Sequence, residues 1–351
     1  MPVSLHIVQS ADPKCTGICK IISVLAHHTA SSGYRISVLF LEDGSLLEEM
    51  QSEGITAAVV PWSGGQKDLA GALRVWKWMR DHPAHITHLH FGGRKVQMLV
   101  RITGTAALVR HVHGMVVEPD LSPISRHLLI GSDAVVSSSE AVAKTLSNIQ
   151  SEVIYAGIDT GPDPPPPPAG VGPIRVGVLS RLVPLKRVEA VIEAQAQLAE
   201  MGIELRTEIC GEGPSESFLR DLAKHLGIDD KVRFLGWRTD TAELLADWDL
   251  LVMPSMFEGF GIAALEAMAA RRAVVASRVG GLPELIDDGT SGILIPAGDT
   301  GALVQALRKL SLDRTAIDRM GYEGWKRANT LFSGDRMAQQ VFALYDRLLR
   351  S

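Results

Sequence analysis

Short apolar runs of strand length alternate with longer segments of helical periodicity through the whole chain, and the alternation starts twice. Runs at 5–8, 36–41, 57–60 and 88–91, then at 108–112 and 134–137, are each separated by enough residues for a helix. Such an order predicts a parallel α/β sheet over residues 1–156, with Ser139 capping a helix that begins at Glu140.

The segment GIDTGPDPPPPPAGVGP, residues 157–173, stops this pattern. Prolines fix the backbone and lack amide donors, so neither a helix nor a central strand passes through it, and it reads as a linker. The alternation then restarts. Strands are expected at 174–179, 204–210, 232–235, 250–254, 273–277 and 292–295, with helices at 187–201, 215–226, 241–246 and 263–271. The fold class is α/β: two tandem Rossmann-like, doubly wound domains, 1–156 and 174–332, whose strand ends are expected to face a shared cleft. Residues 333–351, with apolar positions at helical spacing, are expected to form a helix packing back across both domains.

The chain of 351 residues has material for two domains of the usual size, about 100 to 200 residues each. Its formal net charge of −5 argues against a nucleic-acid partner, since duplex binding rests on clustered Lys and Arg neutralising phosphates. Three cysteines are too few for a disulfide framework, and no second pair completes a zinc ligand set with Cys15 and Cys19. No basic start leads into an apolar leader, and nowhere do about 18 apolar residues follow one another. The expected location is cytoplasmic, or peripheral on the cytoplasmic face of a membrane.

The sharpest constellation is FEGFGIAALEAM. Glu258 falls in a glycine-rich loop after a strand and Glu266 in the helix that follows, so two carboxylates are expected to face one pocket. Gly259 and Gly261 permit close approach of a ligand to the backbone, and the amides at the helix start suit a phosphate. A second cluster, SRLVPLKR, places Arg181, Lys186 and Arg187 at a strand end and helix start. Cations are disfavoured beside the positive end of a helix dipole, so a bound anion such as a diphosphate explains them better than helix stability does.

These residues resemble the retaining group 1 (family 4) glycosyltransferases of the GT-B fold. The resemblance runs through SRLVPLKR, ICGEGPSESFLRDLAKHLGIDDKVRFLGW, DLLVMPSMFEGFGIAALEAMA and VGGLPELIDDGTSGILIP, covering nearly all of residues 174–298. It is weaker in the first half, through LHIVQSADPKCTG, VRHVHG and SDAVVSSSEAVAKTL. The resemblance implies a nucleoside diphosphate sugar as donor substrate, with no cofactor. Arg181 and Lys186 would hold its diphosphate, Glu258 the transferred sugar and Glu266 the ribose hydroxyls. Backbone around Phe260, Gly261 and Ile262 would meet sugar and phosphate, and the base would lie near Gly211, Trp237 and Arg238. In the first domain His113 would approach the sugar and Gly17 would belong to a glycine-rich loop over the donor. His27, His28, His88 and His90 are read as structural.

The family's chemistry retains the anomeric configuration. Its implied front-face mechanism has the leaving diphosphate help remove the acceptor proton while Arg181, Lys186 and helix amides stabilise charge. No metal is expected, nor an Asp-x-Asp cluster that holds a metal-bound nucleotide. The acceptor would be a saccharide or a lipid-linked saccharide, in cell-envelope polysaccharide or glycolipid synthesis. Trp76, Trp78 and Met79 among Lys67, Arg74, Lys77 and Arg80 suit either contact with an anionic inner membrane or a solvated helix face. Two other readings keep the fold: a sugar-nucleotide-binding subunit without catalysis, and an epimerase. A nicotinamide oxidoreductase is disfavoured because the turn SADPKCTGICK lacks G-x-G-x-x-G.

Overall fold

The computed structural model describes residues 1–12, 16–63, 68–90, 94–114, 129–146, 149–168, 170 and 172–350. The chain divides into two compact units, Met1–Asp159 with Gly334–Ser351, and Thr160–Ser333.

In the first unit the strands are β1 (Val3–Val8), β2 (Arg35–Phe40), β3 (Thr56–Val59), β4 (Ile86–Leu89), β5 (Ala107–Val112), β6 (Ala134–Ser137) and β7 (Glu152–Val153). They form one parallel sheet in the order β3-β2-β1-β4-β5-β6-β7. Leu5, Ile7, Leu39, Leu89 and Leu108 from its strands pack with Val75 and Met79 of the helix Leu69–Asp81 and Val100 of the helix Arg94–Ile102. The chain builds outward from β1 to β3, then returns to lay β4 on the other side of β1. The space beyond the carboxyl ends of β1 and β4 is therefore the unit's topological switch point, where sheets of this kind bind ligands.

The second unit repeats the plan with β8 (Ile174–Leu179), β9 (Leu205–Cys210), β10 (Val232–Gly236), β11 (Leu250–Met253), β12 (Ala273–Ser277) and β13 (Ile293–Ile295). Its parallel order is β10-β9-β8-β11-β12-β13, which puts the switch point between β8 and β11. Val176, Val178, Ile209, Val252 and Val275 are buried in its core against the helices Val188–Glu200 and Thr300–Leu312. Each such side chain stabilises by about 1.5–3 kcal/mol on burial. Trp248, 1% exposed, lies flat on Gly177, where a β-carbon would come within 1.7 Å of the indole ring. Its Nε1 donates to Glu208 Oε2 at 2.9 Å, so the buried indole keeps its hydrogen bond.

Two boundaries differ from the sequence reading. The units divide between Asp159 and Thr160, and the proline run belongs to the second unit instead of a separate spacer. Arg271 and Arg272 donate to the carbonyls of Pro165 and Pro166 at 3.1 and 3.0 Å, using acceptors that prolines retain though they lack donors. The last helix, Gly334–Arg350, belongs to the first unit. There Phe342 stacks on Tyr34 with ring centroids 5.2 Å apart, and the Tyr34 hydroxyl donates to Asp346 at 2.7 Å. No helix among the described residues is long and apolar enough to cross a membrane.

Candidate active site

The second unit gathers the predicted donor residues at its switch point. Arg181 and Lys186 follow β8, while Ser255 to Gly261 follow β11, the adjacent strand. The two loops are tied together, because Met256 N donates to Leu185 O at 2.8 Å and Lys186 Nζ pairs with Glu258 Oε1. The Lys186 and Glu258 side chains are only 18% and 11% exposed. Ser255 Oγ donates to the same Glu258 oxygen at 3.0 Å, a contact that sequence reasoning missed since a serine after a strand carries no signal of its own. Arg181 is exposed and forms no ion pair among the described residues. Its cation remains available to an anion. Arg187 is turned back onto Glu189 at 2.8 Å, in a left-handed backbone with φ +53°.

Glycine is required at two points of this site. Gly261, at φ +103°, brings the chain into the helix Ile262–Ala269, and a β-carbon there would lie 2.6 Å from Leu282 Cδ2. That helix begins without a side-chain cap, which leaves its first amides to be satisfied otherwise. Phe260 is buried and rests on Phe332 with centroids 5.4 Å apart, fixing the loop from below. Glu266 lies in the helix at 8% exposure. Gly211, at φ +134°, follows β9, and a β-carbon there would meet Ser180 O at 1.9 Å. Gly211 N donates to Gly236 O at 2.8 Å, so the turn after β9 is joined to the end of β10, which carries Trp237 and Arg238. Arg238 is engaged by Asp240, whose carboxyl its guanidinium holds below the usual range.

An Asp-x-Asp does occur, Asp247-Trp248-Asp249, but immediately before β11 and so at the end of the strand opposite Glu258. Asp249 is 1% exposed, accepts from Arg175 N at 2.7 Å and faces Arg314 Nη1 at 3.9 Å. Asp249 serves the core, while Asp247 is exposed and faces Arg175.

In the first unit, Gly17 lies in the first turn of the helix Thr16–His27 instead of a loop. Residues 13–15, with Cys15, lie outside the described residues, as does Lys67; Cys19 and Cys210 are buried. His113, just beyond β5, belongs to a cluster that the sequence reading did not assemble: His6 of β1, His88 of β4, His90 just after it, and His111 of β5. His90 Nδ1 lies 2.8 Å from His113 Nε2, and His90 Nε2 lies 2.8 Å from His6 Nδ1. Burial pushes the His113 imidazole down to about 4 and that of His6 to about 3, and holds His88, His90 and His111 well below the ordinary histidine range. The five rings are therefore neutral at pH 7.

Two trios, His6/His88/His90 and His90/His111/His113, each hold ring nitrogens within 4.8 Å of one another. Within both trios the ring planes are close to parallel, at 8° to 29°. In each trio one pair of nitrogens, His6–His90 and His90–His113, lies only 2.8 Å apart, a hydrogen-bond separation shorter than the roughly 3.3 Å between two ligands of a tetrahedral zinc ion. The arrangement fits a hydrogen-bonded stack better than a ligand set.

Comparison with known proteins gives concordant matches. Residues 164–327 match the model of group 1 glycosyl transferases, and residues 17–161 that of Glycosyltransferase Family 4. The chain is 31% identical over 290 residues to an MMP alpha-(1->4)-mannosyltransferase of Mycolicibacterium hassiacum, covering 80% of this chain and 68% of that protein. It is 28% identical over 306 residues to the lipopolysaccharide core biosynthesis mannosyltransferase LpsB of Rhizobium meliloti, covering 79% and 84%. Another relative, an N-acetyl-alpha-D-glucosaminyl L-malate synthase of Bacillus anthracis, is matched over 45% of its length. Among solved structures, Anabaena HepE in complex with UDP and glucose superposes with a TM-score of 0.83 over 99% of this chain and 100% of that one. At 21% identity it shows a shared fold.

Proposed function

Because the chain belongs to the group 1 (family 4) glycosyltransferases of the GT-B fold, we propose that it moves a hexosyl group from a nucleoside diphosphate sugar to a saccharide or lipid-linked acceptor. Transfer proceeds with retention and without a divalent metal. The observation that carries this reading is the pairing of Lys186 with Glu258 beside the uncommitted Arg181, at the switch point of the second unit.

In the proposed reaction the acceptor hydroxyl oxygen bonds to the anomeric carbon on the face from which the diphosphate leaves. The bond from that carbon to the diphosphate oxygen breaks, and the acceptor proton passes to the diphosphate. Arg181 and Lys186 stabilise the charge that develops there, the role a metal plays elsewhere, and the uncapped amides at Ile262 add to it. Glu258, held by Lys186 and Ser255, accepts from sugar hydroxyls, and Glu266 from the ribose. Gly211, Trp237 and Arg238 lie where the base is placed in this reading. In the first unit Gly17 is assigned to the donor, through the amino-terminal turn of its helix, and His113 to the sugar.

The lipopolysaccharide core mannosyltransferase among the relatives supports a role in envelope polysaccharide or glycolipid synthesis. A peripheral contact with the cytoplasmic face of the membrane is supported by Leu69 and Leu73, exposed at 76% and 62% on a helix that also carries Arg74, Lys77 and Arg80. The test is incubation with UDP-, GDP- and ADP-sugars and candidate acceptors in EDTA, with the product anomer read by NMR. Transfer with retention supports the proposal. Inversion, or turnover only after a divalent ion is restored, overturns it.

A further inference from the structure

The histidine stack of the first unit continues past His6. Tyr345, from the helix Gly334–Arg350, places its hydroxyl 3.4 Å from His6 Nε2 and 2.6 Å from His88 Nδ1. The polar atoms thus form a chain, His113–His90–His6–Tyr345–His88, crossing β5, β4 and β1. Tyr345 is fully buried, and burial raises its phenol above the ordinary range, so the hydroxyl keeps its proton.

A neutral imidazole has one N–H and one lone pair. His6 and His90 use both ring nitrogens in the chain, so each must donate at one side and accept at the other. One proton direction then governs every link. The separation of 2.6 Å between Tyr345 and His88 is in the O–H donor range, and 3.4 Å to His6 is long even for N–H. Tyr345 therefore donates to His88 Nδ1 and accepts from His6 Nε2. His6 Nδ1 in turn accepts from His90 Nε2, and His90 Nδ1 accepts from His113 Nε2. His111 stacks 4.0 Å from His113 but bonds neither of its nitrogens among the described residues, so it stands outside the chain.

We infer that Tyr345, His6 and His90 are positioning residues that hold His113 as its Nε2–H tautomer, leaving Nδ1 as a bare acceptor for a hydroxyl of the bound sugar. No contact to Nδ1 occurs among the described residues. A histidine set in this way accepts a hydrogen bond without serving as an acid. The inference rests on the proposed role of His113 for its consequence, though not for the tautomer itself.

The tautomer is read directly by two-dimensional 15N–1H NMR of the ring nitrogens in the full-length protein labelled at histidine. The expected spectrum of the wild type shows His113 protonated at Nε2 and not at Nδ1. Protonation at Nδ1, or rapid exchange between the two forms, overturns the inference. Tyr345→Phe keeps the packed ring and removes the hydroxyl that orders the chain, and His90→Gln keeps a donor and an acceptor. In Tyr345→Phe, His113 is expected to lose its single tautomer and kcat to fall about tenfold or more, with donor KM little changed. His90→Gln is expected to recover part of the activity that His90→Phe loses. An unaltered His113 spectrum in Tyr345→Phe contradicts the chain. Full transfer by His113→Ala with the spectrum as expected would instead remove the sugar role of His113 and leave the tautomer standing.

Discussion

Lys186 and Glu258, distant in sequence, are bound to one another across the carboxyl ends of β8 and β11. The pair ties the basic loop to the glycine-rich loop and gives the carboxylate one fixed oxygen, Oε1, on which Ser255 also converges. In the proposed reaction the second carboxylate oxygen accepts from a sugar hydroxyl.

Removing either partner is expected to abolish most transfer without unfolding the protein. Glu258→Gln keeps the shape of the side chain and loses its charge. A drop in kcat of roughly 10²–10³-fold is expected for it and for Lys186→Ala, the range found when one charge-stabilising group is deleted from an active site. Circular dichroism should still report a folded chain, with a lowered melting temperature, because removing one partner leaves the other charge mostly buried and unpaired. Retained activity would remove the pair from the site.

Gly211 carries both a left-handed backbone and a close approach, whereas Gly227 has φ +66° with nothing within 4 Å of a β-carbon. Gly227→Ala should cost about 1–2 kcal/mol from backbone strain alone. Gly211→Ala adds contact with Ser180 O and should cost more, in urea unfolding monitored by fluorescence. Equal losses would mean that the turn after β9 relaxes freely.

Much of this was legible in the sequence. The twofold alternation of apolar runs marks two parallel α/β units, and the donor motifs fall at strand ends because such sheets bind ligands there. Less legible was the histidine stack. Residues 88 and 90, and 111 and 113, alternate at the period that puts side chains on one face of a strand, but nothing in sequence says that β4 and β5 are neighbours in register with β1. The use of Pro165 and Pro166 by Arg271 and Arg272 was hidden for a similar reason, since a proline run shows no sign of the donors it meets.

Burial of the imidazoles makes stability depend on pH. Unfolded histidines titrate near 6.5, while His113 and His6 in the fold are pushed down to about 4 and about 3. In acid the unfolded chain therefore binds more protons than the folded one. The stabilising contribution is present above pH 6.5 and is lost as pH falls toward the folded values, with a slope of about 1.4 kcal/mol per pH unit for each group. Melting temperature should fall steeply from pH 6.5 to 4, and less steeply in His6→Gln. A melt independent of pH over that span would show that these rings are not buried and neutral.

Arg238 is exposed and engaged with Asp240. Arg238→Ala should leave stability almost unchanged, as exposed ion pairs contribute little. If Arg238 serves the donor, KM for the nucleotide sugar should rise several-fold with kcat held. Unchanged KM would assign Arg238 to Asp240 alone.

The most direct measurement is calorimetric titration of UDP, GDP and ADP into the protein in EDTA, with the wild type and Arg181→Ala side by side. One nucleoside diphosphate should bind the wild type without metal, and its affinity should fall about tenfold or more in Arg181→Ala, the loss of a charge-assisted contact to phosphate. Absence of binding by all three, or equal affinity in both proteins, would contradict a donor site at the carboxyl ends of β8 and β11.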